Sequence, residues 1–331
     1  MKVVDLHCDT LNELRYARKR GEELNFTNNK LHIDINKMKQ GDYMLQCFAA
    51  FINLVHKEEN PLVTALEEMD IFFQFMAAHP NEIAQVKTWE DLERNRREGL
   101  ISALLTVEEG GCCLGNLSVL RILHQLGVRI MTLTWNHENE LAYPNTVPVD
   151  CAQVYPCGPN TTLGVKEKGF EFLAEMEKLG ILVDVSHLSD AGFWDVYNHT
   201  TKPFIASHSN ARAKSSHVRN LTDDMIRAIA ERGGVTGINY CAGFLDEQDC
   251  PEKCMSNVKL MVDHIDHIQK VGGLDMIALG SDFDGIENNL QFKSCADLPL
   301  LEAELRRRHY SEDAIEKIFH KNALRVLREV L

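Results

Sequence analysis

The chain has 331 residues, of which 44% are hydrophobic and 25% charged, and its formal net charge is −14. This apolar fraction supplies a large core and excludes a disordered chain, and the length falls within the range of a single α/β barrel. The negative charge excludes nucleic acid as an expected partner, because phosphate binding draws on clustered lysine and arginine, and no apolar run is long enough to span a membrane.

Ten cysteines are too few for a disulfide scaffold in a chain of this length. We therefore expect a reduced, cytoplasmic protein. The pairs Cys151 with Cys157 and Cys250 with Cys254 fall in predicted loops and could form bridges if the protein were exported.

Short apolar runs that alternate with amphipathic stretches indicate strands and helices. The predicted strands are Val3–Leu6, Tyr43–Ile52, Leu100–Val107, Arg129–Thr134, Ile181–Val185, Phe204–Ala206, Gly234–Asn239 and Met276–Leu279. The predicted helices include one that begins at Pro61 and ends before His79-Pro80, and Leu117–Leu126, Lys166–Leu179, Ser189–Asn198, Leu221–Arg232, Val258–Val271, Leu298–Arg308 and Ser311–Val330. This alternation predicts one domain, residues 1–331, with a (β/α)8 TIM-type barrel fold. Tyr143–Leu163 is predicted to be a loop at the rim.

Polar side chains follow several of these strands. His7 and Asp9 come directly after the first strand, and alternation along the chain points both to one side. Glu109 follows the third strand and precedes two glycines that let the backbone approach a ligand. Asp9 could instead cap a helix, and Glu109 could lie in a solvated acidic turn.

Two Ser-His pairs place His187 and His208 just past two successive strands. A strand–helix–strand crossover sets such strands side by side and parallel, so both imidazoles would emerge at the same edge of the sheet. Either histidine alone would be explained by a helix-capping role, but the pair favours a metal site.

Asp282 follows the eighth strand. The loop after His208 carries Arg212, Lys214, His217 and Arg219, and this cationic loop could bind a substrate carboxylate or simply be solvated. His264 and His267 share one face of a helix, but no strand end brings them near the other histidines.

These residues predict a dinuclear centre. His7 and Asp9 form one half, His187 and His208 form the other, and Glu109 is the predicted bridge. Two metals about 3.5–4 Å apart would share a hydroxide that attacks a carbonyl carbon. Zn²⁺ suits this mixture of imidazole and carboxylate ligands, with Mn²⁺, Co²⁺ and Fe²⁺ as alternatives. Asp282 would take the proton and return it to the leaving amine.

The segments VDLHCDT, TVEEGG, DVSHLS, IASHSN, HIDHI and LGSDFDG, in this order, resemble the membrane (renal) dipeptidase family of zinc peptidases, from about residue 3 to Asn322. The resemblance implies a metallo-dependent hydrolase barrel that holds two zinc ions and cleaves dipeptides, often with a D-residue on the C-terminal side. It assigns His7, Asp9 and Glu109 to one zinc and Glu109, His187 and His208 to the other. It also assigns proton transfer to Asp282 and binding of the substrate carboxylate to Arg219. A homodimer is an expectation from the family alone.

The sequence departs from the family pattern in two places. Trp135 takes the position of a family histidine that contacts the scissile carbonyl, so Asn136 or His137 is expected to supply a donor instead. Phe244 takes the position of a family tyrosine that contacts the substrate carboxylate.

Two other functions remain open. One is a different dinuclear metallohydrolase on the same barrel, such as an amidase, a lactonase or a deaminase, against which Arg219 favours a dipeptide. The other is a non-catalytic metal-binding barrel, which would have no need of the proton-transferring Asp282.

Overall fold

The computed structural model describes residues 1–22, 24–56, 59–145, 158–248, 251–286 and 290–331. Within them the chain forms a mixed α/β fold around one curled parallel sheet. The strands are β1 (Val3–Asp5), β2 (Tyr43–Phe51), β3 (Ile83–Gln85), β4 (Ile101–Glu108), β5 (Val128–Thr132), β6 (Leu182–Asp184), β7 (Thr236–Ile238) and β8 (Ile277–Leu279). The helices are α1 (Thr10–Lys19), α2 (Ile35–Gln40), α3 (Pro61–Ala78), α4 (Trp89–Glu98), α5 (Leu117–Leu126), α6 (Glu167–Leu179), α7 (Asp190–His199), α8 (Asp223–Glu231), α9 (Ala242–Leu245), α10 (Val258–Gly272), α11 (Pro299–Arg307), α12 (Glu312–Glu316) and α13 (Asn322–Leu327).

The order of strands across the sheet is β6-β5-β4-β2-β1-β8-β7, and β3 pairs with β4 outside this path. Each of these pairings is parallel. Two isolated parallel bridges, Asp184 with Ile205 and Ala206 with Thr236, connect β6 to β7 through residues 204–206. The residues that follow the strands are therefore gathered at one edge of the sheet.

The two faces of the sheet pack into separate cores. Along β4, Ala103, Leu105 and Val107 belong to the larger core, which also contains apolar residues of the helices, whereas Leu104 belongs to a smaller core. The smaller core contains inward residues of other strands and Val326 of α13. Because both faces are covered, the strands are largely apolar, as in most parallel sheets.

The predicted strands and helices are largely confirmed. The short strand β3 and the helices α4 and α9 were not expected, and Thr88 with Asp91 forms a capping box that starts α4. Phe204–Ala206 contributes bridges rather than a regular strand. The predicted helix Ser311–Val330 is divided by a π-helical turn at Lys317–Lys321.

Among the described residues, Cys8, Cys47, Cys112, Cys113, Cys241 and Cys295 have free thiols. Cys151, Cys157 and Cys250, which belong to the two predicted bridging pairs, lie outside the described residues, as does the middle of the predicted rim loop, residues 146–157. Across the described part of the chain, no helix combines the length and apolarity needed to cross a membrane.

Candidate metal and active site

His7 and Asp9 follow β1 and lie buried at the carboxyl edge of the sheet. Asp9 occupies the N-cap position of α1, yet its side chain makes no capping hydrogen bond. Its Oδ2 atom lies 3.4 Å from His7 Nε2 instead. Capping therefore does not account for this aspartate, and its carboxylate faces the cluster.

His187 and His208 meet at the same edge, where their Nε2 atoms are 2.9 Å apart. The rings of His7 and His208 are stacked with centroids 4.0 Å apart. The cap of α7 is Ser189, which accepts a hydrogen bond from the Gly192 amide, so the capping explanation for His187 also fails. Three imidazoles from distant parts of the chain thus converge.

Glu108 lies between these histidines. One of its oxygens, Oε1, is 2.9 Å from His187 Nε2 and 3.5 Å from His208 Nε2, while Oε2 is 3.2 Å from His7 Nε2. The carboxylate therefore spans the two halves of the cluster. Glu108 is the last residue of β4 and shares its inward face with Leu104 of the smaller core.

Glu109, the bridge expected from the sequence, does not lie in the cluster. Its Oε1 accepts hydrogen bonds from the Gly111 amide at 2.7 Å and from Asn139 Nδ2, and its Oε2 accepts one from the Trp135 amide at 2.9 Å. Neighbouring strand residues point to opposite faces, so only one of the two glutamates can reach the histidines. The glutamate that lies among the histidines is therefore Glu108 and not Glu109. Glu109 instead organises the turn after β4.

Charge interactions within the cluster are strong because all of its members are buried. Burial lowers the pKa of His7, but Glu108 and Asp9 outweigh it and raise that pKa well above its usual value. Burial and nearby Arg219 lower the pKa of His187 to about 3. Burial also raises the pKa of Asp9, and the charge of Glu108 adds to the effect. A cation placed among these groups would relieve the repulsion between the carboxylates.

The donor set fits a metal ion. Two groups have ligand atoms within 4.8 Å of one another, namely His7 with Glu108 and His208, and His7 with Asp9 and Asp282. The atoms His7 Nε2 and Asp9 Oδ1 are buried without a hydrogen bond. Buried polar atoms are rarely left so. Imidazole nitrogen and carboxylate oxygen are typical zinc ligands.

Asp282 lies next to the cluster, with Oδ1 3.9 Å from His7 Nε2. Asn239, a residue that sequence analysis did not identify, donates a hydrogen bond of 2.9 Å from Nδ2 to Asp282 Oδ2. Burial raises the pKa of Asp282, while His7 opposes that shift. Gly285 allows this approach, because a Cβ there would lie 2.0 Å from Asp9 Oδ2 and 2.7 Å from Asp282 Oδ1.

Backbone strain is concentrated at this edge. His187 and Asp282 adopt φ angles of 70° and 62°, and Glu109 adopts 101°. Residues with side chains rarely occupy this left-handed region, and strained positions are frequent at functional sites.

Arg219 is buried beside the cluster. Its terminal nitrogens donate long hydrogen bonds to Ser209 Oγ at 3.3 Å and to the His208 carbonyl at 3.4 Å, and its Nε has no partner. The guanidinium lies 5.5 Å from the ring centroid of Phe244. The other arginine in this loop, Arg212, instead forms a salt bridge with Asp190. Arg219 thus retains capacity to bind an anion.

Asn136 and Trp135 lie at the rim of the site. The Asn136 Oδ1 atom is 2.9 Å from His187 Nδ1, so the contact seen for this residue orients a histidine. The Trp135 ring packs edge-on against Phe51, with centroids 4.9 Å apart, and lies 6.0 Å from the ring of His187. The expectation that Asn136 contacts substrate stays a prediction.

His264 and His267 lie elsewhere. His264 accepts a hydrogen bond from the Ala211 amide and donates one to the Leu245 carbonyl, and His267 pairs with Asp223. These are structural roles, as expected for histidines that no strand end brings near the others.

Enzymes place such imidazole and carboxylate ligands at the carboxyl edge of a parallel sheet to activate water with a metal. The fold and this site therefore define the class of the protein as a metal-dependent hydrolase.

Comparisons with known proteins narrow the class. The family model described as membrane dipeptidase (peptidase family M19) matches residues 1–331. The chain is 31% identical to an uncharacterised dipeptidase of Schizosaccharomyces pombe, over 99% of this chain and 80% of that protein. It is similar to the crystal structure of a metallopeptidase named dipeptidase AC, with a TM-score of 0.88 and 26% identity over 100% of this chain and 98% of that one. A metallopeptidase from Rhodobacter sphaeroides, solved with a phosphinate mimic of the dipeptide L-Ala-D-Ala, has a TM-score of 0.88 and 25% identity over 100% of this chain and 99% of that one.

The chain belongs to the membrane dipeptidase family, peptidase family M19. It is a metal-dependent hydrolase of dipeptides. The resemblance found in the sequence motifs is thereby confirmed.

Proposed function

We propose that the chain cleaves dipeptides at a two-zinc centre held by His7, Asp9, Glu108, His187 and His208. The observation that carries this proposal is the position of Glu108, whose two oxygens face His7 on one side and His187 and His208 on the other. One carboxylate that serves both sides is the arrangement expected of a bridging ligand. His7 and Asp9 complete one half-site, and the two later histidines complete the other.

The histidine tautomers support this assignment. Asn136 Oδ1 is an acceptor for Nδ1–H of His187, which leaves the Nε2 lone pair directed at Glu108 and His208. Two Nε2 lone pairs at 2.9 Å would repel each other without an ion between them. In many enzymes a hydrogen bond to the other ring nitrogen orients a metal-binding histidine in this way.

Zinc at such a site lowers the pKa of water and polarises a carbonyl group. The chain supplies the remaining steps. Asp282, whose pKa burial raises, accepts the proton of the attacking water and delivers it to the leaving amine. Asn239 holds the Asp282 carboxylate through Oδ2 and leaves Oδ1 facing the cluster.

Arg219 binds the free carboxylate of the dipeptide. Its guanidinium is buried, its hydrogen bonds are long and its Nε is unpartnered, so a carboxylate can pair with it without displacing a strong contact. This requirement for a free C-terminus favours dipeptides over internal amides. The dipeptide mimic bound to the Rhodobacter sphaeroides relative supports substrates with a D-residue on the C-terminal side.

We also infer that residues 1–331 form a single (β/α)8 barrel. The bridges made by Ile205 and Ala206 supply the link between β6 and β7 that closure of the sheet requires. A cytoplasmic location and a homodimer remain predictions from the sequence.

The test is release of free amino acids from matched L,L and L,D dipeptides and from the same dipeptides with an amidated C-terminus. Hydrolysis of uncapped dipeptides, with capped ones much poorer, is the expected result. Equal turnover of both sets would contradict the carboxylate-binding role of Arg219. Cleavage of lactones or amides in preference to dipeptides would move the chain to another reaction of the same metallohydrolase class.

A further inference from the structure

Asp184, a buried aspartate outside the metal cluster, is the last residue of strand β6. Asp184 Oδ1 accepts hydrogen bonds from the backbone amides of Ser186 at 3.0 Å and Ser207 at 2.9 Å, and its Oδ2 accepts one from Ser207 Oγ. Ser207 Oγ lies 2.7 Å from His208 Nδ1. The three side chains Asp184, Ser207 and His208 thus form a continuous chain that ends at the proposed metal site.

The direction of the protons along this chain follows from the donors available. A carboxylate only accepts, so the Ser207 hydroxyl donates its single proton to Asp184. The same hydroxyl oxygen must then accept from Nδ1–H of His208. This leaves Nε2 of His208 unprotonated and facing Glu108 at 3.5 Å.

We propose that Asp184 and Ser207 are positioning residues that fix His208 in the tautomer able to bind a metal through Nε2. The inference rests on the proposed two-zinc centre and adds the residues that prepare one of its ligands. Neither residue touches substrate in this account, since both act through the imidazole.

The same motif occurs at the end of β1 and supplies an internal control. Asp5 Oδ1 accepts from the amides of His7 at 3.3 Å and Ser281 at 2.9 Å, and Asp5 Oδ2 accepts from Ser281 Oγ at 2.6 Å. The register is equivalent, because Asp5 pairs with Leu279 and Asp184 with Ile205. Ser281 Oγ, however, has the His7 carbonyl as a second acceptor at 3.2 Å, and its contact with His7 is to the backbone.

Asn in place of Asp184 would reverse the direction of the hydrogen bonds from residue 184 through Ser207 to His208. The two backbone amides hold the side-chain oxygen of Asn at the Oδ1 position, so its NH₂ group must face Ser207 Oγ. Ser207 then accepts from the amide and donates to His208 Nδ1, which moves the imidazole proton to Nε2. The alternative acceptor Ser186 Oγ lies 3.4 Å from Ser207 Oγ and is the poorer partner. Changing an aspartate that sets a tautomer to asparagine is known to disable an imidazole while geometry is kept.

The experiment compares Asp184→Asn, Ser207→Ala, the double variant and Asp5→Asn by zinc stoichiometry and zinc affinity in competition with a chelator. We expect Asp184→Asn to weaken the binding of one of the two zinc ions by about 100-fold, and Ser207→Ala to weaken it by about 10-fold. The double variant should recover to the level of Ser207→Ala, because without the hydroxyl nothing forces the wrong tautomer. Asp5→Asn should keep both zinc ions.

A double variant that binds zinc no better than Asp184→Asn would overturn the proposal, since two merely structural losses add. Equal loss of zinc in Asp5→Asn and Asp184→Asn would do the same. The ¹⁵N chemical shifts of His208 in the metal-free wild-type protein, assigned with a His208→Asn variant, report the tautomer while Asp184 and Ser207 are unchanged. A protonated Nδ1 supports the proposal and a protonated Nε2 overturns it. A wild-type protein that binds no zinc contradicts the proposed function, whereas the tautomer can still be measured.

Discussion

Replacement of Glu108 by Gln tests the assignment of the bridging carboxylate. Gln keeps the shape of Glu108 but removes the negative charge that faces His7 on one side and His187 and His208 on the other. If each contact of the Glu108 carboxylate with a metal ion contributes as much as a hydrogen bond to a charged group, about 1.5–3 kcal/mol, loss of two such contacts costs about 3–6 kcal/mol. This corresponds to roughly 10²–10⁴-fold weaker metal binding.

The neighbouring substitution Glu109→Gln is the matched control. Glu109 accepts hydrogen bonds from the amides of Gly111 and Trp135 and from Asn139, and Gln would place an NH₂ group against one of these donors. We expect a loss of about 1–3 kcal/mol in the free energy of unfolding with metal stoichiometry unchanged. Zinc titration and denaturant unfolding of both variants separate the effects. The assignment is refuted if Glu108→Gln retains wild-type zinc affinity while Glu109→Gln loses the metal.

Three further outcomes follow from the same geometry. Asp282→Asn should lower kcat by about 10²–10⁴-fold with both metals retained. Asp284→Asn should leave kcat nearly unchanged, because the Asp284 carboxylate is held by Thr10 Oγ1 and the His32 amide. Unchanged turnover in Asp282→Asn would reject its role as proton carrier. Arg219→Ala should raise KM for a free dipeptide far more than for its amide-capped analogue, and equal increases would exclude the carboxylate contact. Zinc at a thousandfold excess over Kd stabilises by about 4 kcal/mol, and a chain of 331 residues at roughly 2.1 cal/mol/K per residue gains about 6 °C in Tm; a chelator that leaves Tm unchanged in calorimetry would argue against a buried metal.

The position of the site was predictable because the residues that could bind metal or transfer a proton directly follow strands. His7, His187, His208 and Asp282 each come shortly after an apolar run, and parallel strands deliver such residues to one edge of a sheet. The structure brings all four together. The sequence was informative here because this prediction depends on the order of strands and helices and not on the direction of the side chains.

The choice between Glu108 and Glu109 required side-chain direction, which the sequence did not provide. A strand buried on both faces is largely apolar, so the segment ISALLTV shows only weakly which of its two faces points inward. The polar Ser102 and Thr106 share the face of Glu108 and are the one local signal. A wrong choice of face exchanges the two glutamates.

Contacts between residues far apart in the chain also could not be predicted from the sequence pattern. Asn136 reaches His187, and Asn239 reaches Asp282, across separations of 51 and 43 residues. Which amide side chain turns toward which partner depends on tertiary packing, for which local periodicity holds no information. Similarly, residues 204–206 were predicted as a regular strand and form bridges instead.

The most direct test of the account is a zinc titration of metal-free enzyme with release of amino acids from an uncapped L,D dipeptide measured at each step. We expect activity to be absent without metal and to rise to a plateau at two zinc ions per chain. Activity that persists after complete removal of metal would contradict a metal-dependent reaction. So would a chain that binds two zinc ions and cleaves no dipeptide.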